Sequence, residues 1–279
     1  MDILLTNDDG IYSIGVQTAA KRLRESGHNV LLLAPDRERS GCGHAMTLDR
    51  PVHVRDVDRR FLSSDFAAKS CDGTPTDCVV MAIDMLGFTP DMVISGINQG
   101  PNLGDDLTYS GTVCAAMEGV IFGIPSMAVS LVMSSRACKA FNETAADVMA
   151  ALIEWVKDNP MPPGVLYNVN VPNMPLDVIR GIAVTKKGVR RYVNKVKTVL
   201  SPSGERVYWI GGNIEDDMTE GTDVCAIADG YVSVTPVHME MTSFDAYKEC
   251  KDAGMDNFLE NCVRKMSGSC LNFHSTVDK

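Results

Sequence analysis

The sequence predicts an α/β protein: a mostly parallel sheet with flanking helices, and a projecting hairpin toward the carboxyl terminus. Three observations carry this expectation. Strand-length apolar runs alternate with amphipathic helical patterns from Ile3 to Val171, as a series of βαβ units requires. The run from Val30 to Ala34 is apolar on both faces, the mark of a strand inside a parallel sheet. After Pro172 the texture changes to short strands separated by turn chemistry.

In chain order, the first strand spans residues 3–5. A helical pattern follows over about 15–26, with Val16, Ala19, Ala20 and Leu23 on one face and Gly27 at its end. It feeds the strand at 30–34. Three further units are expected: helix 76–86 with strand 92–95, helix 112–122 with strand 126–130, and helix 141–157 with strand 165–171. Residues 182–185, 193–199 and 207–210 read as antiparallel strands, the last two joined by the turn sequence Ser201-Pro202-Ser203-Gly204. One more strand is expected at 231–235 and a closing helix with a frayed tail at 243–265. The chain thus divides into a core over 1–185, a hairpin with its returning strand over 186–242, and a helical tail over 243–279.

The chain has 279 residues, of which 45% are hydrophobic, enough for a full core. Met1-Asp2 runs into Ile3-Leu4-Leu5 without a basic leader, so no signal peptide is expected and the mature protein is expected to begin at Met1. The most apolar stretch, 119–133, is interrupted by Pro125 and serines. It falls short of the roughly 20 residues of a membrane span, and no membrane association is expected. Nine scattered cysteines without a Cys-x-x-Cys pair suggest reduced thiols in a cytoplasmic protein. A net charge of -10 disfavours polymeric nucleic acid and acidic lipid. A small anion is compatible with that charge where a bound cation reverses the local sign.

Three loops gather chemistry at one edge of the expected sheet. Asp8 and Asp9 follow the first strand, where open α/β sheets place their ligands. Adjacent carboxylates repel unless a cation lies between them or one keeps its proton, and a hard dication answers that need. The alternative is a polar turn that only caps the next helix. The second loop, from Asp36 to His44, carries Gly41 and Gly43, whose backbone can approach an anion. It lacks the third glycine of a dinucleotide fingerprint, because that position is Met46. The third loop ends at Ser110-Gly111-Thr112 before a helical pattern. There free N–H groups and the helix dipole favour a phosphate, unless Ser110 is merely an N-cap. Of the five histidines, His44 alone lies in these loops. It is the candidate general acid or phosphate contact, with a structural role as the alternative.

These residues resemble the SurE nucleotidases, the stationary-phase survival proteins. The resemblance is carried by Leu4-Leu5-Thr6-Asn7-Asp8-Asp9-Gly10, by Ala34-Pro35-Asp36 leading to Ser40-Gly41, and by Gly73-Thr74-Pro75-x-Asp77-Cys78-Val79. It continues through Ser95-Gly96-Ile97-Asn98-x-Gly100-x-Asn102-Leu103-Gly104, Tyr109-Ser110-Gly111-Thr112-Val113 and Gly230-Tyr231-Val232-Ser233-Val234-Thr235-Pro236. It implies a Rossmann-like core and one Mg²⁺ or Mn²⁺ per subunit, held by Asp8, Asp9, Ser40 and Asn98. It also implies Asn102, Ser110, Gly111 and Thr112 around a phosphate. The implied reaction is hydrolysis of nucleoside 5′- or 3′-monophosphates, and of short polyphosphate, by a metal-activated water. The implied assembly is a homodimer or homotetramer formed by exchange of carboxyl-terminal hairpins or tails. Haloacid-dehalogenase-type phosphatases, which form an aspartyl phosphate, space their two aspartates by one residue, whereas here the two are adjacent. A nucleotide sensor without turnover is a further alternative from the loops alone.

Overall fold

The computed structural model describes residues 1–58, 67–133, 139–259 and 262–263. Cys138, Cys270 and most of the expected frayed tail lie outside those residues. The described chain divides into two compact units, Met1–Met239 and Glu240–Lys279.

The first unit begins with strand β1 (Asp2–Thr6), helix α1 (Ile14–Glu25) and strand β2 (Asn29–Pro35). Along β1 the side chains alternate: Ile3 and Leu5 meet α1, while Leu4 faces the opposite layer. Strands β3 (Val54–Asp56) and β4 (Ala67–Cys71) follow, then helix α2 (Pro75–Val80), which runs on as a π-helical turn at Met81–Met85. Thr74 and Asp77 form a capping box at the start of α2, with Pro75 at its first turn. Next come β5 (Met92–Gln99), a 3-10 turn (Gly104–Thr108), α3 (Gly111–Ile121), β6 (Ser126–Val132), α4 (Asn142–Asp158) and β7 (Val165–Pro172).

The distal part holds β8 (Ile182–Val184), β9 (Arg190–Val193), β10 (Val196–Leu200), β11 (Arg206–Ile210), β12 (Asn213–Asp216), α5 (Asp223–Ala228) and β13 (Val232–His238). Among the described residues, nine strands form the central sheet in the order β3-β4-β2-β1-β5-β6-β7-β13-β8. From β4 through β7 every pairing is parallel. Helices α1 and α4 pack on one face, and α2 and α3 on the other. The connections reverse direction at β1, which pairs β2 on one side and β5 on the other. That switch point opens a crevice at the carboxyl ends of β1 and β5.

Several elements differ from the expectation. Strands β3 and β4 extend the sheet beyond β2, although neither carries a strong apolar pattern. The run expected at 193–199 is two strands, broken where Asn194 takes a left-handed φ of 54°. On the returning side, the glycine pair Gly211-Gly212 stands opposite that break, so β9/β12 and β10/β11 form successive antiparallel ladders of one arm. The expected turn at 201–204 joins β10 to β11. Segment 182–185 is not part of that arm: β8 pairs in parallel with β13 at the sheet edge, and β13 runs antiparallel to β7. Short α5, capped by Thr222, was not expected. The second unit contains α6 (Phe244–Asp252), capped by Ser243, where the closing helix was expected.

Candidate metal and phosphate site

The loop after β1 is built by Asn7. Its amide nitrogen donates to the Gly10 carbonyl at 3.0 Å and to Ser13 Oγ at 2.8 Å, while its oxygen accepts from the Gly10 N–H at 3.2 Å. This closed turn presents Asp8 and Asp9 to the crevice. Asp8 is buried and accepts a hydrogen bond from the Thr112 hydroxyl of α3. Asp9 Oδ2 accepts from the Gln99 N–H of β5 at 3.0 Å. The helix comes this close because residue 111 is glycine: a Cβ there would lie 2.9 Å from Asp8 Cβ and 3.0 Å from Cys42 Sγ.

The other two loops close around this pair. The Arg39 N–H donates to the Asp8 carbonyl at 2.7 Å and seats the loop that carries Ser40 and Gly41. Ser40 donates its hydroxyl proton to Glu38 at 2.8 Å, which leaves oxygen lone pairs for a cation. Asn98 follows a register shift in β5 between Gly96 and Asn98, the kind of bulge that re-aims a side chain. Its amide nitrogen donates to the Gly100 carbonyl at 3.0 Å, so the amide oxygen is the atom left for a metal. Asp8, Asp9, Ser40 and Asn98 line one cavity of about 210 Å³ together with Gly41, Asn102 and Ser110. Thr112 and Gly111 stand directly behind Asp8.

Ser110 is the N-cap of α3 and accepts from the Val113 N–H at 3.1 Å. Its hydroxyl proton remains available to an anion, alongside the Gly111 N–H at the start of the helix, whereas the Thr112 N–H is bonded to the Asp8 carboxyl. Asn102 spends one amide hydrogen on Ser130 Oγ at 2.8 Å and keeps the other. His44 stands apart from the cavity lining. Its Nε2 lies 2.8 Å from Glu118 Oε2 on α3, a pairing that ties the second loop to the helix. Four lining residues were not singled out in the sequence: Gln99, Pro101, Asp106 and Tyr109. Adjacency to Asn98 and Ser110 is the signal that could have found Gln99 and Tyr109.

Among the described residues, three carboxylates line this cavity, and no lysine, arginine or histidine does. Burial, joined by repulsion from Asp9, pushes the Asp8 carboxyl up to about 6 against the opposing hydrogen bond from Thr112. Such a cavity repels phosphate unless a cation supplies the missing charge. The donors fit a hard ion: carboxylate, hydroxyl and amide oxygens, without thiolate or imidazole. Among the described residues, no group of three His, Cys, Asp or Glu side chains offers an alternative metal cluster. Larger hollows lie elsewhere, one of about 680 Å³ between α1 and α4 and one of about 540 Å³ beside β8. The first carries the mutually paired Arg22 and Asp147 and the second is mainly apolar, so size does not identify the site.

Known proteins resemble this chain over most of its length. The family described as survival protein SurE matches residues 3–194. A relative from Geobacter metallireducens, named 5′-nucleotidase SurE, is 45% identical over 247 residues, covering 88% of this chain and 94% of that one. One from Crocosphaera subtropica with the same name is 40% identical over 259 residues, covering 89% and 92%. The crystal structure of the SurE protein from Aquifex aeolicus superposes with a TM-score of 0.77 at 39% identity, covering 91% of this chain and all of that one.

The raised Asp8 carboxyl has a consequence for stability. Moving it from its ordinary 3.8 to about 6 withholds about 3 kcal/mol from the metal-free fold. Because the folded value is the higher one, the penalty is complete above about pH 6 and disappears below about pH 4. Asp8→Asn is therefore expected to stabilise the chelator-treated protein in denaturant titrations at pH 8, with the gain gone near pH 4. An equal or destabilising effect at pH 8 would contradict the burial argument.

Proposed function

The chain belongs to the SurE survival-protein family, and from that premise we propose that it is a divalent-cation-dependent phosphatase of nucleoside monophosphates. The 5′-monophosphates are the main substrates, with 3′-monophosphates and short polyphosphate as further ones. The observation that carries this reading is the cavity lined by Asp8, Asp9, Ser40 and Asn98 beside the amino terminus of α3, with no cationic side chain among its described residues.

Asp8, Asp9, Ser40 and Asn98 are the residues that would hold the cation, Mg²⁺ or Mn²⁺. Bound there, it supplies positive charge to the phosphoryl oxygens and lowers the pKa of a water. Thr112 fixes the orientation of Asp8, and the Gln99 N–H fixes that of Asp9. The Ser110 hydroxyl, the Gly111 N–H, the Gly41 backbone and the spare amide hydrogen of Asn102 receive the remaining phosphate oxygens, while Thr112 gives both its hydroxyl and its N–H to Asp8. Hydrolysis then joins a water oxygen to phosphorus and breaks the ester bond. The departing sugar oxygen takes its proton from water, since His44 is engaged with Glu118 outside the cavity lining.

The arm supports a homodimer or homotetramer, formed by exchange of the hairpin or tail. Every residue of β10 and β11 is exposed in the single chain, including Trp209 at 68% and Ile210 at 91%. An exposed apolar strand pair of this kind is otherwise an aggregation hazard. The free cysteines of the described residues and the absence, among those residues, of a helix able to cross a membrane are compatible with a cytoplasmic setting.

Purified protein should release phosphate from adenosine or guanosine monophosphate on addition of Mn²⁺ and stop on addition of chelator. Asp9→Asn should lower kcat/KM by at least about 100-fold, or ~2.7 kcal/mol. Metal-independent release would refute the reading. In light scattering, the wild type should exceed the mass of one chain, and the double substitution Trp209→Lys with Ile210→Asp should reduce it. An unchanged mass would exclude the arm as the contact.

A further inference from the structure

One wall of the cavity is left unused by phosphate and cation. It includes Asp106, in the 3-10 turn Gly104–Thr108, beside Pro101 and Tyr109. Two donors from the root of the arm hold its carboxylate: Tyr192 Oη donates to Oδ1 at 2.7 Å and Arg190 Nη1 donates to Oδ2 at 3.1 Å. Both stand on β9, two residues apart and therefore on one face.

Arg190 is itself fixed. Its Nε and Nη2 donate to the two oxygens of Asp216 at 2.8 and 2.9 Å, a two-point fork, and Asp216 is its cross-strand partner on β12. Burial works against the guanidinium charge, but Asp216 and then Asp106 overturn that and raise its pKa above the ordinary value. Burial, followed by the bond to Asp106, pushes the Tyr192 phenol up to about 12. Both groups therefore remain donors at neutral pH. The turn is anchored from below as well: Asp223 accepts from the Gly104 N–H at 2.9 Å and the Gly188 N–H at 2.7 Å. The position of Asp106 is thus set by the arm's root, 84 residues further along the chain.

A carboxylate repels the phosphate end of a substrate, which the amino terminus of α3 attracts. After accepting from Arg190 and Tyr192, it keeps lone pairs for one more donor. On a nucleoside monophosphate the complementary donors near the ester are the sugar hydroxyls. We propose that Asp106 is a specificity residue that accepts a hydrogen bond from a ribose hydroxyl, with Arg190 and Tyr192 as the positioning residues that hold it there. The inference rests on the phosphatase reading above.

The test compares kcat/KM for adenosine 5′-monophosphate and its 2′,3′-dideoxy analogue in the full-length protein with Mn²⁺. The wild type should prefer the ribonucleotide by about 10-fold to 100-fold, the range of a hydrogen bond to a charged group. Asp106→Ala should bring the ratio close to one. Tyr192→Phe, which removes a single hydroxyl, and Arg190→Met should each lower it, with Arg190→Lys between Met and wild type. A purely structural role would depress both substrates alike and leave the ratio unchanged, which would overturn the proposal, as would a wild-type ratio near one. If the wild type released phosphate from neither nucleotide, the phosphatase reading would fall as well. Release from both without discrimination would remove only this inference.

Discussion

The site depends on an electrostatic debt. Asp8 and Asp9 are adjacent, Asp8 is buried, and among the described residues the surrounding cavity contributes a third carboxylate but no cationic side chain. Left alone, this arrangement opposes both folding and anion binding, since burial and like charge each raise the cost of ionising Asp8. One hard cation would remove both objections, and with the molecule's net charge of -10 it would be the source of local positive potential.

The fold is arranged to hold that debt in place. The switch point between β1 and β5 brings together two carboxylates from the loop after one strand and an amide from the end of the other. On the far side, α3 can press its first turn against Asp8 only because Gly111 has no side chain. Backbone bonds then lock the pieces together: Arg39 to Asp8, and Gln99 to Asp9. Substrate recognition is attached to this rigid centre through the arm, whose root reaches the cavity at Asp106 while its tip stays exposed.

What could be read from the sequence follows from locality. The βαβ units were legible because β1, β2, β6 and β7 carry dense apolar runs and α1 and α4 carry clear helical stripes. Loops at strand ends could be placed together because a parallel sheet aligns its carboxyl ends. Long-range polar pairings carried no such signal. His44 looked reactive by type and position, yet its partner Glu118 lies 74 residues away, and nothing local announces it. Asp106 sat in a recognised loop without a role, because the role depends on Arg190 and Tyr192. Strands β3 and β4 were missed since residues such as Lys69 and Ser70 lack apolar character, and their pairing is imposed by neighbouring β2. The left-handed Asn194 divided an apparently continuous strand for a purely backbone reason.

The central claim, that side-chain oxygens from three loops share one cation, is tested most directly by anomalous diffraction from crystals grown with Mn²⁺. One anomalous peak per chain, about 2 Å from oxygens of Asp8, Asp9, Ser40 and Asn98, is the expected result. An empty cavity at saturating Mn²⁺, or a peak ligated elsewhere, would contradict the account.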